Sequence, residues 1–232
     1  MIGEYIFNNA FSLKPIVRER FEYGASTQSC NVFANLRPVT KNDVTVILRG
    51  KVTKNFSKDT TQPPIPTESQ EEYLIERYLE VGIEFSEDLD GIFLIIVLDS
   101  RTNCVSIHNN RYTCHGIYYY QDSERLIFSD KITSIIEFFL DSPQPHMGAV
   151  RSFLSNGFTS ADQTQIQGIK KLLPAFTCNI SSKGAQLANY WDKEISFKRS
   201  SGQSIEKSID EYIEIYRQGI KNYLDVHKPE KV

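Results

Sequence analysis

The sequence has no long hydrophobic run. Its longest uninterrupted apolar segment, Ile92–Leu98, has seven residues, whereas a helix needs about 20 residues to cross a bilayer. The N-terminal residues also lack the basic start and the long apolar core of a secretory signal peptide. These absences predict a cytoplasmic protein that does not associate with membranes.

The sequence also lacks a large excess of either positive or negative charge, and it lacks closely spaced cysteine pairs. The net charge of −3 provides no basic field, so we expect no nucleic-acid partner. The four cysteines are far apart and form no CxxC motif, which favours reduced thiols over disulfides or a metal site. They are Cys30, Cys104, Cys114 and Cys178.

The stretch from Leu89 to Leu140 organises what the chain does contain. Its apolar run, closed by Asp99, is typical of a strand buried on both faces. Polar turns separate three further predicted strands, and the block indicates an antiparallel meander. These strands are Cys104–His108, Gly116–Tyr120 and Arg125–Ser129.

A helix is predicted to close this stretch. Ile132, Ile135, Ile136 and Phe139 fall on one helical face, and Asp130 or Ser129 can cap the helix. A sheet buried on both faces needs a layer on each side, and this helix is a candidate for one of them.

Other elements are predicted on either side of the central stretch. Strands are expected at Gly3–Phe7 and Val44–Leu48, with weaker pieces at Phe21–Tyr23 and Asn31–Leu36, and a proline-rich loop at Thr60–Thr67. One helix is expected from Ser69 to Gly82, with a Ser69–Glu72 capping box and an apolar face of Leu74, Tyr78 and Val81. Another is expected near Gly148–Ser155, with Val150, Phe153 and Leu154 facing inward. A hairpin at Phe176–Ile180 and Gln186–Tyr190 precedes a final amphipathic helix that starts at Ser204.

The order of these pieces resembles the N-terminal glutaminase domain of asparagine synthetase-like proteins, which are class II glutamine amidotransferases. Four stretches over roughly residues 82–192 carry the resemblance. They are Gly82–Asp99, Arg111–Tyr119 (RYTCHGIYY, similar to RFGIKPLYY), Phe128–Ile136 (FSDKITSII, similar to FASEIKALL) and Phe153–Asp192, which ends in Tyr190-Trp191-Asp192.

The resemblance implies an α+β fold of the N-terminal-nucleophile hydrolase type. We expect a four-layer α-β-β-α sandwich of two antiparallel sheets over residues 1–203, and a helix over residues 204–232 that leads toward an ATP-pyrophosphatase (synthetase) domain. ATP and Mg²⁺ are expected only in that following domain, and no cofactor is expected here. The expected partner of the final helix is that synthetase domain or a second copy of this chain, as a homodimer.

The residues that this family uses for glutamine hydrolysis are altered. The nucleophilic N-terminal cysteine is replaced by Ile2, which has no nucleophilic atom. The Asn-Gly-Glu that follows a strand and binds the oxyanion and the amino group is replaced by Arg49-Gly50-Lys51, and an Asp at the start of a helix is replaced by Gln70. The Arg-Asp before the RYTCHGIYY turn is Asn109-Asn110. We therefore predict a degenerate glutamine pocket of Ile2, Arg49, Gly50, Lys51 and Gln70, and no catalytic residue.

Four other groups are weaker candidates for sites. Cys114 and His115 are neighbours that would face opposite sides of a strand, and Cys104 and His108 are too far apart on a strand to share a metal. The run Tyr118–Tyr120 is more typical of sheet packing than of a ligand platform. Lys51, Lys54 and Lys58 with Arg49 form a basic patch that is more typical of a solvated face.

Three functions remain in competition. The first is a non-catalytic structural or regulatory domain of an amide-forming synthetase. The second is a free-standing binding module whose pocket around Arg49 and Lys51 takes a small anionic ligand. The third is an active glutaminase that supplies ammonia for asparagine synthesis, which requires a different N-terminus.

Overall fold

The computed structural model describes residues 1–7, 20–54, 65, 68–191 and 204–227. The chain divides into two compact units, Met1–Trp191 and Asp192–Val232. Within the described residues, no helix is both long enough and apolar enough to cross a membrane. The predicted loop at Thr60–Thr67 lies outside the described residues, apart from Ile65.

Among the described residues of the first unit, twelve strands form two antiparallel six-stranded sheets. The first sheet has the order β10-β8-β9-β1-β3-β2 and the second has the order β12-β11-β7-β6-β5-β4. The strands are β1 Ile2–Ile6, β2 Tyr23–Ser26, β3 Cys30–Ala34, β4 Val39–Lys41, β5 Val44–Lys54, β6 Leu89–Asp99, β7 Cys104–Asn109, β8 Tyr118–Gln121, β9 Arg125–Ser129, β10 Ile169–Lys171, β11 Phe176–Ser181 and β12 Gly184–Asn189.

Three apolar clusters stack these sheets between helices. One cluster joins the two sheets and contains Tyr5 and Phe128 of the first sheet and Ile96 of the second. Another lies between the second sheet and the helix Gln70–Val81 (α1), and a third lies between the first sheet and the helix Ile132–Phe139 (α2). The expected four-layer α-β-β-α sandwich is therefore confirmed.

The predicted meander is wrong in one respect. β6 and β7 pair in the second sheet, whereas β8 and β9 pair in the first, and β7 pairs with β6 and β11. The chain leaves one sheet after Asn109 and enters the other at Tyr118. Periodicity could not show this crossing, because a strand buried on both faces has the same pattern in either sheet.

The helices of the first unit correct several details of capping and burial. Ser69 is the N-cap residue of α1 but makes no side-chain capping bond, so the Ser69–Glu72 box is absent, and Val81 is 42% exposed. Gly82 ends α1 as predicted, with a positive φ of 74°. The N-cap residue of α2 is Lys131, whose backbone N–H donates to the Ser129 hydroxyl.

The helix Met147–Asn156 (α3) differs most from its prediction. Only Ala149 of this helix is buried, whereas Phe153 is 44% and Leu154 is 78% exposed. The expected inward face of Val150, Phe153 and Leu154 is therefore wrong. Helical periodicity predicts which residues share one face, but it does not show whether another element covers that face.

Strand β5 is longer than predicted and contains Arg49-Gly50-Lys51 rather than ending before it. Gly50 has a φ of 96°, and a Cβ there would lie 2.0 Å from the Ile92 carbonyl oxygen on β6. Only glycine fits this close approach without displacing the backbone. Arg49 therefore precedes a glycine with positive φ in the strand that pairs with β6.

The second unit contains the helix Ile205–His227 (α4). The Ser204 hydroxyl accepts a hydrogen bond from the Lys207 backbone N–H, which confirms Ser204 as its cap. The predicted division at residue 203 stays a prediction.

Candidate functional site

Asp130 forms ion pairs with the Met1 α-amine and with Arg49. Its Oδ1 lies 2.7 Å from the Met1 α-amine, and its Oδ2 lies 2.6 Å from Arg49 Nη1. The Met1 and Asp130 side chains are 3% and 12% exposed, whereas Arg49 is 40% exposed. Asp130 follows β9 and Arg49 lies in β5, so this carboxylate joins the two sheets.

These groups line a cavity of about 440 Å³, here called the N-terminal pocket. Phe21, Leu36 and Phe138 form its apolar walls, and Asn35 and Ser134 add neutral polar groups. Its charged lining residues are Met1, Arg20, Arg49, Asp130 and Lys131.

The lining of the N-terminal pocket has an excess of positive charge. Arg20 pairs with Glu137 at 2.9 Å, and Arg49 pairs with Asp130. Lys131 is exposed and makes no ion pair within the described part of the chain. Asp130, which also binds the Met1 amine, is the only carboxylate among the described lining residues.

The structure brings only one of the five predicted pocket residues to the N-terminal pocket, namely Arg49. Ile2 is fully buried in the apolar cluster between the first sheet and α2. Gly50 and the half-buried Lys51 follow Arg49 on β5 but are not among the described lining residues.

Gln70 has a different role from the one predicted. It is 3% exposed, and its side-chain amide donates to the Val52 carbonyl at 2.8 Å while its Oε1 accepts from the Val52 N–H at 3.1 Å. Gln70 therefore fastens α1 to β5 and is not among the described residues that line the N-terminal pocket.

His115 lies close to Arg49 and Gly50 of β5. Its Nε2 would be 3.1 Å from a Cβ at Gly50. Burial and the nearby Arg49 charge lower the pKa of His115 below its usual value, so the imidazole is neutral at pH 7. A neutral imidazole adds no further positive charge beside Arg49.

The described residues of the other candidate groups are not brought together into a site. Cys114 and His115 lie in the turn between β7 and β8, not in a strand as predicted. His108 is buried between the hydroxyls of Ser86 and Ser106, and Cys104 bonds the Thr102 carbonyl. No group of three or more potential metal ligands occurs among the described residues. Lys58 and the side chain of Lys54 are outside the described structure.

Sequence reasoning missed Asp130 and Lys131 as pocket residues. The sequence suggests only a helix cap for Asp130, because its position just before α2 fits that role. Its actual partners are 129 and 81 residues away in the chain. No local pattern could have indicated that pairing.

A family model for the glutamine amidotransferase domain matches residues 38–191. The chain belongs to the glutamine amidotransferase domain family. The match covers the stretches that carried the resemblance and includes Arg49, Asp130 and Lys131 of the N-terminal pocket. No curated protein matches the chain.

Two solved structures are similar to this chain at low sequence identity. Glutamine phosphoribosylpyrophosphate (PRPP) amidotransferase from B. subtilis, complexed with ADP and GMP, is 10% identical, with a TM-score of 0.38 over 75% of this chain and 36% of that one. A structure of the allosteric regulatory enzyme of purine biosynthesis is 11% identical, with a TM-score of 0.37 over 74% of this chain and 36% of that one. The chain thus spans about a third of the length of these two proteins.

Proposed function

We propose that this glutamine amidotransferase domain does not hydrolyse glutamine and is a non-catalytic domain, structural or regulatory, of an asparagine synthetase-like protein that forms amides with ATP. The observation that carries the proposal is the state of Asp130. Both of its oxygens are bound, one by the Met1 amine and one by Arg49. No other carboxylate among the described lining residues could hold the ammonium group of glutamine.

The charge of the N-terminal pocket supports the same proposal. In this pocket the ammonium group of glutamine would lie beside the positive charges of Arg49 and Lys131. Both charges would repel it. To hold the ammonium group of glutamine, the pocket would need a free carboxylate at the place where it has Arg49 and Lys131.

The nucleophiles of the first unit also support it. Burial raises the pKa of Cys30 and raises that of Cys178 to about 12, so both remain protonated thiols. Cys104 donates to a backbone carbonyl, and Cys114 is not among the described residues that line the pocket. Ser134 carries the only hydroxyl of that lining, where no described imidazole is present to act as its base.

The assignment to an asparagine synthetase-like parent is supported by the ordered motifs between Gly82 and Asp192. In such a parent, ammonia or an internal amine would come from elsewhere. The acceptor, ATP and Mg²⁺ would bind in a following synthetase domain, with this domain packed against it.

Glutamate release from glutamine tests the proposed loss of activity. We expect the purified chain to turn over more slowly than about 0.1 per second, a tenth of the low end of enzyme kcat values. We also expect the Ile2→Cys variant with Met1 removed to be inactive, because Arg49 and Lys131 remain and the new thiol lies in an apolar cluster. Saturable hydrolysis by the purified chain would refute the proposal, and activity of the variant alone would limit the defect to the nucleophile.

A further inference from the structure

We propose that the N-terminal pocket binds a small carboxylate with an apolar body and no ammonium group. This inference goes beyond the loss of glutaminase chemistry, since it assigns a ligand class to the cavity. It also moves the predicted anion site from Arg49 and Lys51 to Arg49 and Lys131.

Arg49 has hydrogen-bond donors to offer such a ligand. Its Nη1 is held by Asp130, and no other partner of its guanidinium lies within the described ranges. A guanidinium carries five N–H donors in a planar fork that matches a carboxylate. Asp130 therefore fixes the orientation of Arg49 while leaving donors for a second, exogenous carboxylate.

Lys131 provides the charge that Asp130 does not balance. Arg49 shares Asp130 with the Met1 amine, and Arg20 is paired with Glu137. Lys131 stands in the same lining without an ion pair in the described part of the chain. A bound monoanion would compensate this excess, whereas a cation or a zwitterion with its ammonium group nearby would increase it.

The remaining walls fit an apolar body. Phe21, Leu36 and Phe138 line the cavity, and the Arg20 guanidinium lies 5.1 Å from the centroid of the Phe138 ring, which closes that side. A volume of about 440 Å³ lies within the range of small-molecule sites. It holds roughly 15 water-sized groups, which suits a carboxylate with a short alkyl chain or one ring.

Calorimetric titration of the full chain with hexanoate tests the proposal. We expect hexanoate to bind with a Kd below about 10 mM, in line with the affinity per atom of small ligands. Hexan-1-ol and hexylamine have the same alkyl chain without the negative charge, and we expect each to bind at least about tenfold more weakly. Inorganic phosphate, which lacks the apolar body, should also bind at least about tenfold more weakly.

Charge variants assign the binding to the pocket. We expect Lys131→Gln and Arg49→Gln each to weaken hexanoate binding by about fivefold or more. Lys183→Gln, in the exposed turn of the β11–β12 hairpin, is the matched control and should bind as the parent does. Lys131 is exposed and makes no ion pair among the described residues, so its variant remains informative even if Arg49→Gln fails to fold.

The proposal is overturned if hexanoate does not bind, if hexan-1-ol or phosphate binds equally well, or if Lys131→Gln leaves the Kd unchanged. Because this measurement involves no turnover, its failure is separate from a failure of the proposed loss of glutaminase activity.

Discussion

At the scale of single residues, two backbone positions show what the family motifs preserve in this chain. Thr113 and Ala175 have φ values of 48° and 59°, in the left-handed region that favours glycine. Both occupy places where the resembling motifs have glycine, in RFGIKPLYY and after Pro174. Both turns therefore have a left-handed backbone without a glycine at that position. Asn109 supports the first turn by donating from Nδ2 to the Thr113 hydroxyl at 3.1 Å.

His108 is a buried residue with a structural rather than a chemical role. Its two ring nitrogens lie 2.9 Å from the Ser86 and Ser106 hydroxyls, and the Phe85 ring packs against it with centroids 4.6 Å apart. Complete burial without a carboxylate partner lowers the pKa of His108 to about 3. The imidazole is thus neutral in the folded protein and joins β7 to the 3₁₀ segment Gly82–Asp88.

We predict that His108 makes the fold sensitive to moderate acid. Below pH 6.5 the unfolded chain binds a proton at this residue that the folded chain does not bind, so stability falls as pH decreases from about 6.5 toward 3. The loss between pH 7 and pH 5 should be about 2 kcal/mol. Urea unfolding at both pH values measures it.

The variant His108→Gln serves as the control for this effect. It keeps a neutral hydrogen-bonding side chain and should be less stable at pH 7, but should lose the part of the pH dependence that His108 contributes. An equal pH dependence in parent and variant would show that His108 is not the titrating group.

At the scale of secondary-structure elements, Gln70 explains how α1 is attached to the second sheet. β4 pairs with β5 only at Val44, Thr45 and Val46, so no strand among the described residues pairs with the far half of β5 on that edge. The Gln70 amide bonds both the N–H and the C=O of Val52 and thereby acts as one residue of a neighbouring strand. Leu74, Ile75 and Tyr78 then bury the apolar face of α1.

We predict that Gln70→Leu destabilises the fold by roughly 2–4 kcal/mol. The change leaves a buried backbone donor and a buried acceptor without partners, and each such group costs about 1–3 kcal/mol. The control Glu72→Gln lies on the same helix turn but is exposed, and should change stability by less than about 0.5 kcal/mol. Thermal and urea unfolding measure both, and equal stabilities would show that Gln70 does not fasten the helix.

At the scale of the whole molecule, α4 carries a continuous apolar stripe in the second unit. Ile209, Tyr216 and Tyr223 are seven residues apart. Tyr212 lies between the first two, and Ile205 precedes Ile209 by four residues, which is the spacing of a coiled-coil seam. Ile209 is 51% and Tyr216 is 61% exposed. Because a seam of this kind is complementary to itself, we propose a second copy of the chain as its partner and a homodimer as the result.

We predict that removing residues 204–232 abolishes this dimer and leaves the sandwich folded. The three apolar clusters formed by the described residues lie within the first unit, so the loss of stability should be below about 2 kcal/mol. Light scattering measures the oligomeric state, and thermal melting measures the stability.

Point variants separate the stripe from the rest of α4. Tyr216→Asp should dissociate the dimer, while Lys221→Glu, an exposed charge outside the seam, should not. A monomeric parent would exclude the dimer. Loss of the melting transition after truncation would show that the helix is part of the core of the sandwich. The predicted boundary at residue 203 would then be wrong.

The sequence by itself determined most of the strands and helices and the family, but it did not indicate the short strands β4 and β10. The run Ile92–Leu98 and the β11–β12 hairpin are predicted by local signals. The apolar periodicity and turn residues that indicate each of them lie within about ten residues of one another. The ordered motifs from Gly82 to Asp192 indicated the glutamine amidotransferase family, which the family model confirms.

Only the tertiary structure decided which sheet each hairpin joins and which side chains form the pocket. The motifs predict Gln70 and Lys51 in the pocket, yet Gln70 lies against β5 and Lys51 is not in the described lining. Asp130 and Arg49 meet across 81 residues of chain, and Asp130 meets the Met1 amine across 129. Such pairs form because two sheets pack face to face, and a local pattern contains no information about which residues that packing brings together.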